Sequence, residues 1–142
     1  MKRLSVSTRL LNFPTKGDAD IIDITKEVSG AILKSELTDG VVTVFVPGAT
    51  GAVTTIEYES GLVSDFKAML ERIAPQGIEY LHNLKWGDGN GHSHVRASLL
   101  SPSLSVPFAD GAMMLGTWQQ IIFIDLDNRP RDRELIVQIV GE

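Results

Sequence analysis

The spacing of apolar residues in this chain switches between a period of two and a period between three and four, and the switches mark out its elements. Polar and apolar residues alternate over residues 3–11, as in a strand with one face buried. Over residues 26–37, Val28, Ala31, Ile32 and Ser35 fall at helical spacing, which predicts an amphipathic helix with Thr25 as its cap and Asp39-Gly40 as its end. Residues 41–46 form a β-branched run suited to a buried strand, residues 47–51 a turn-rich loop, and residues 52–58 a further strand. Leu62, Phe66, Met69, Leu70 and Ile73 lay a core-facing stripe along a second helix that Pro75 stops.

The last third reads as an antiparallel meander, with strands at residues 95–100, 103–107, 113–115, 118–126 and 134–140. Asp110-Gly111 and Asn128-Arg129-Pro130 supply turns. Strands grouped late, after two helices, predict an α+β sandwich of mainly antiparallel strands rather than a parallel doubly wound sheet. Without internal repeats or a linker-like tract, the 142 residues read as one domain.

Composition narrows the function. A formal charge of -5 argues against nucleic acid as a partner, because neutralising phosphates takes a surplus of Lys and Arg on one face. No apolar run approaches the ~20 residues that span a bilayer, so no membrane partner is expected. The basic N-terminal segment has its apolar positions broken by Ser, Thr and Arg, and a cytoplasmic location is the expectation. The absence of cysteine leaves imidazole and carboxylate as the only ligands for a transition metal.

All three histidines lie within YLHNLKWGDGNGHSHVRAS, residues 80–98. On an extended backbone His92 and His94 would point to one face of a sheet, and His82 would enter from the other side of a Gly-rich loop. Three imidazoles with an open position suit zinc or a similar divalent ion. The loop from Gly87 through Asp88, Gly89 and Asn90 to Gly91 can expose backbone N–H groups to a phosphate or carboxylate. It is neither a dinucleotide fingerprint nor a calcium loop, because the final Gly of the one and the acidic twelfth ligand of the other are missing. Arg96, two residues past His94, would bind an anionic group on the same strand face, with a surface arginine as the plain alternative. Glu57 is the preferred upstream carboxylate for ligand or general-base work, ahead of Glu59 and Asp65. Gln119 brings an amide to a pocket wall, and Trp118 reads as a core or subunit-interface anchor.

These residues resemble the YjbQ-like family, described as secondary thiamine-phosphate synthases and long grouped as an uncharacterised protein family. The resemblance covers nearly the whole chain. Its carriers are TTIEYESGLVSDF, the stretch 80–98, SLSVPF, LGTWQ and the closing IVQIVGE. It implies a small α+β protein, a homotrimer, a metal site, and a transferase that joins a pyrimidine diphosphate to a thiazole phosphate with loss of pyrophosphate. Glu57, His82, Asp88, Asn90, His94, Arg96 and Gln119 match the family's pattern. Many members carry a histidine at the place of Gly48 and lack the His92 found here, so His92 is expected to replace that imidazole.

The resulting expectation is a zinc or magnesium site on His82, His92 and His94, with Glu57, Asp88 and Arg96 catalytic and Asn90, Gly91 and Gln119 binding a small phosphorylated molecule. Two alternatives stand beside the transferase: a non-catalytic oligomer that binds a metal or anionic metabolite, and a metal-assisted hydrolase of a small phosphorylated molecule.

Overall fold

A computed structural model describes residues 2–142. The elements in chain order are β1 (Ser5–Thr15), β2 (Asp20–Asp23), α1 (Thr25–Ser35), β3 (Gly40–Phe45), β4 (Gly51–Ile56), α2 (Ser60–Ile73), α3 (Leu81–Trp86), α4 (Gly91–Leu100), β5 (Ser103–Ala109), β6 (Ala112–Met113), β7 (Gln120–Asp125) and β8 (Arg131–Gly141). Five strands form one antiparallel sheet in the order β1-β8-β3-β5-β6, and three form a second in the order β2-β7-β4. The α+β reading holds.

Strand β7 explains the layering. Ile121 and Phe123 join Val42, Val44, Leu135, Val137 and Ile139 in a core between the sheets, to which α1 adds Val28, Ala31 and Ile32. On the opposite face, Ile122 and Ile124 pack with Ala52, Leu70 of α2 and Ala97 of α4. A strand covered on both faces has no polar side, which is why 121–124 is an unbroken apolar run. The layers are therefore the five-stranded sheet, the three-stranded sheet, then α2 and α4.

The outer face of the five-stranded sheet is bare. Val6 and Leu10 stand beside Val140 and Ile136, which in turn face Val41 and Phe45, and the positions between them are Thr8, Gln138 and Thr43. None of these side chains is charged.

Two expectations are corrected. Residues 95–100 are not a strand: they belong to α4, because Ser93, Ala97 and Leu100, at helical spacing, present one stripe to the helical layer's side of the three-stranded sheet. The N-cap of α1 is Ile24, without a side-chain cap; Thr25 instead donates to Asp23 Oδ1 and accepts the Ile121 N–H, tying the helix start to β7. The cap of α2 is Glu59, whose carboxylate accepts from the N–H groups of Gly61 and Leu62. Strand β2 and helix α3 have too few periodic residues to stand out in the sequence.

One ion pair crosses the core where it meets the loops. Arg133 sits at an inward position of β8 and is 6% exposed; Asp125, at the end of β7, is fully buried. The guanidinium donates from Nε to Asp125 Oδ2 and from Nη2 to Oδ1, both at 2.7 Å. Thr15 and the Asp127 N–H also donate to this carboxylate. Burial pushes the Asp125 carboxyl up, but these donors more than offset it and hold it below the usual carboxylate range. Removing one partner leaves a bare charge in the core. Arg133→Met is expected to cost about 3–5 kcal/mol in urea denaturation, and the double change Asp125→Leu/Arg133→Met less than the sum of the two single changes; strict additivity would show that the pair is not coupled.

Candidate functional site

Helix α3 ends at Gly87 in the left-handed conformation, a tight loop follows, and α4 starts at Gly91. The two helices are locked at this corner. The Gly91 N–H donates to Asn83 Oδ1 at 2.8 Å, and a Cβ on Gly91 would stand 2.5 Å from Tyr80 Cβ, so only glycine lets α4 begin this close. Gly91 thus has a packing role at this corner.

The corner brings two histidines together and sends the third away. The rings of His82 and His94 lie 4.4 Å apart between centroids, and His82 Nδ1 is 3.6 Å from Asp88 Oδ1. His92 and His94 do not share a face, as they would on a strand: two residues along a helix amount to about 200° of rotation. His92 is buried instead against Tyr80, on the face it shares with Arg96. The expected set of three imidazoles therefore does not converge. Among the described residues, no three histidine, aspartate or glutamate side chains are gathered to hold a metal ion as they stand.

The other expected residues divide in the same way. Asn90 lies between the carboxylates of Asp88 and Asp127. With its amide nitrogen toward Asp88 it donates at 2.9 and 3.2 Å, an orientation preferable to the reverse because it points no oxygen at that carboxylate. Asn128 donates to the Asp88 carbonyl at 2.9 Å and pins the loop to the β7–β8 turn. Arg96, expected to bind an anion, is buried and spent on structure: Nε donates to the Ala74 carbonyl at 3.0 Å and Nη2 to Glu71 at 2.8 Å, joining α4 to the end of α2. Glu57 and Gln119 are at the far end of the three-stranded sheet. The site end of β4 is Gly51, paired with Asp125, whereas Ile56 pairs with Gln120, so Glu57 stands roughly 20 Å away at strand rise. Gln119 folds back to accept the Gly116 N–H there. Trp118 is 70% exposed and anchors no core.

What the sequence reading passed over is the floor. Asp127 accepts from Thr50 Oγ1 and pairs with Arg131, and Arg133 Nη2 donates to Thr50 Oγ1 at 2.8 Å. The signal was present in LDNRPRDR, residues 126–133: charges at alternate positions on both sides of a turn face one side, and Arg133 opens an inward row that continues as Leu135, Val137 and Ile139. Above this floor, Gly48, Ala49, Gly51, His94, Ala97, Ser98 and Pro102 line a cleft of about 180 Å³.

Burial first, then the neighbouring His82 imidazole, lowers the His94 pKa against the opposing pull of Asp127 and Asp88. Burial and then Arg96 lower that of His92, against Asp18, Glu71 and Asp127. A lowered folded-state pKa means that the unfolded chain takes up the proton first, so both histidines contribute stability above the ordinary value of about 6.5 that is lost as pH falls below it. Carboxylates withdraw theirs only near pH 4. His92→Leu is therefore expected to lose less stability than the wild type between pH 7 and 5.5, as read from urea midpoints; equal losses would mean that His92 is not held neutral.

Comparison with known proteins fits this architecture. A protein of Methanothermobacter thermautotrophicus named as a UPF0047 protein is 41% identical over 139 residues, 98% of this chain and 95% of the relative. One from Archaeoglobus fulgidus, similarly named, is 38% identical over 128 residues, 90% of this chain and 97% of the relative. Among solved structures, a YbjQ-like protein of unknown function from Sulfolobus solfataricus P2 superposes with a TM-score of 0.94 at 29% identity, covering 99% of this chain and all of the other. A YjbQ/UPF0047 protein from Clostridium acetobutylicum does so at 0.84 and 32% identity, over 92% and 98% of the two chains. The profile of the UPF0047 protein YjbQ-like family matches residues 9–142, and with relatives this similar along their whole length the chain belongs to that family.

Proposed function

We propose that this protein is a metal-dependent enzyme acting on a phosphorylated small molecule, with a divalent ion, zinc or magnesium, held by His82, His94 and Asp88. The observation that carries the reading is His82 Nδ1, which is buried without a hydrogen-bond partner 3.6 Å from a carboxylate oxygen. A charge-assisted hydrogen bond would close to about 2.8 Å. Two ligands of one tetrahedral ion, each bonded at about 2.1 Å, stand about 3.4 Å apart. Two imidazoles and a carboxylate fit zinc in kind better than magnesium, and a small rotation of the half-exposed Asp88 carboxylate, within the reach of the Asn90 amide, would complete the set.

The protein groups divide the remaining work. His94, with its lowered pKa, stays neutral and able to donate a lone pair. Asn90 and Asn128 orient Asp88 through its carboxylate and its carbonyl. A bound ion would supply Lewis-acid polarisation of phosphoryl oxygens. The family resemblance favours transfer, in which a thiazole phosphate displaces pyrophosphate from a pyrimidine diphosphate; a hydrolase would use water in the same cleft. The expected result is one zinc per chain by calorimetry and metal analysis, with His82→Ala and His94→Ala each losing at least about tenfold in affinity and His92→Ala unchanged. Conversion of the two thiamine precursors that is no faster than in His94→Ala would reject the transferase.

The same reading makes the protein a cytoplasmic homotrimer. Its support is an uncharged patch on the outer face of the five-stranded sheet, where Val6, Leu10, Val41 and Phe45 are all exposed. No helix among the described residues is long and apolar enough to cross a membrane. Val41→Glu is expected to lower the mass measured by light scattering from three chains to one, whereas an unchanged mass would clear this face of the assembly.

A further inference from the structure

The turn beside the cleft carries donors that no described residue uses. The N–H groups of Gly48, Ala49 and Thr50 lie outside the ladders and donate to no described residue. Gly48 has φ +128, a conformation open to glycine, and Gly48 and Ala49 line the cleft with His94. Successive free N–H groups in a turn form a concave anion-binding surface.

A buried guanidinium stands behind this turn. Arg133 uses Nε and Nη2 on Asp125 and Thr50, but its Nη1 donates to no described residue. A Cβ on Gly48 would lie 3.5 Å from that Nη1, so the missing side chain leaves the nitrogen uncovered beside the turn. Family members with histidine at this position would fill that space.

We propose that the N–H groups of Gly48, Ala49 and Thr50, with Arg133 Nη1 behind the turn, form a phosphoryl subsite at the edge of the cleft that Gly48 and Ala49 line. This rests on the reading that the cleft takes a phosphorylated small molecule. It also reassigns the anion-binding guanidinium from Arg96, which is held by Ala74 and Glu71 at the end of α2, to Arg133, whose Nη1 lies beside the turn. The local charges allow it. Asp125 is matched by Arg133 and Asp127 by Arg131, leaving Asp88 on the imidazole side. The turn's N–H dipoles and a rigid, mostly buried donor then supply the attraction.

The test is titration of isotope-labelled wild-type protein with inorganic phosphate and with pyrophosphate in the presence of a chelator, following the backbone amides by NMR. The expected result is saturable shifts of the Gly48, Ala49 and Thr50 amides that chloride does not reproduce, with phosphate affinity reduced at least about tenfold in Arg133→Lys, a variant whose fold is checked by thermal melting. Unmoved amides at these three positions would overturn the proposal. So would shifts confined to Arg9, Lys26 and Lys34, which line a separate basic groove of about 490 Å³. Phosphate that binds only to the zinc-loaded protein and leaves the turn still would also overturn it, while sparing the metal reading. Turn shifts in a protein that binds no zinc would sustain the subsite and remove the metal.

Discussion

The Arg133 guanidinium and the Asp125 carboxylate face one another between the two sheets, and most of the cleft is attached to them. Asp125 closes β7 opposite Gly51, so the pair fixes where β4 begins and where the preceding turn must lie. Arg133 reaches Thr50 across the same gap, and Thr50 reaches Asp127. From Asp127 the chain runs on to Asn128, which holds the loop carrying Asp88. A buried ion pair is stable only when its remaining lone pairs and protons are satisfied, and here the groups that satisfy it are the ones that shape the site.

The corner between α3 and α4 solves a different problem. Two imidazoles must approach closely without both becoming cations, and burial together with their mutual repulsion keeps His94 neutral. Close approach is permitted by Gly91 and held by Asn83. The helical side of the cleft thus carries the His94 imidazole, beside His82 and Asp88, and Gly48 and Ala49 of the turn line its other side.

How far the chain could be read without its fold varied by residue. The crowding of histidines around a glycine loop pointed to the corner between α3 and α4, where His82, Asp88, Asn90 and His94 lie side by side. The role given to His92 failed because His-x-His was taken on a strand, and the same error displaced Arg96. Glu57 and Gln119 were grouped with the site by residue type and by a shared family pattern, neither of which carries distances; strand β4 separates them from it. Arg133 was missed because a charge near a turn reads as solvated, and only the pairing of β7 with β4 reveals a carboxylate behind it.

By itself, then, the sequence determined the α+β class, the presence of α1 and α2 and the C-terminal end of α2, the position of strand β7 and the absence of thiolate chemistry. These follow from side-chain period, turn residues and composition, which are local properties. The tertiary structure decided that residues 95–100 are helical, because the stripe through Ser93, Ala97 and Leu100 gains its burial only against a sheet formed by distant strands. It also decided which histidines pair, that Arg133 meets Asp125, and that the turn at Gly48 lines the cleft with His94. Those outcomes depend on contacts between residues far apart in the chain, and no local period encodes them.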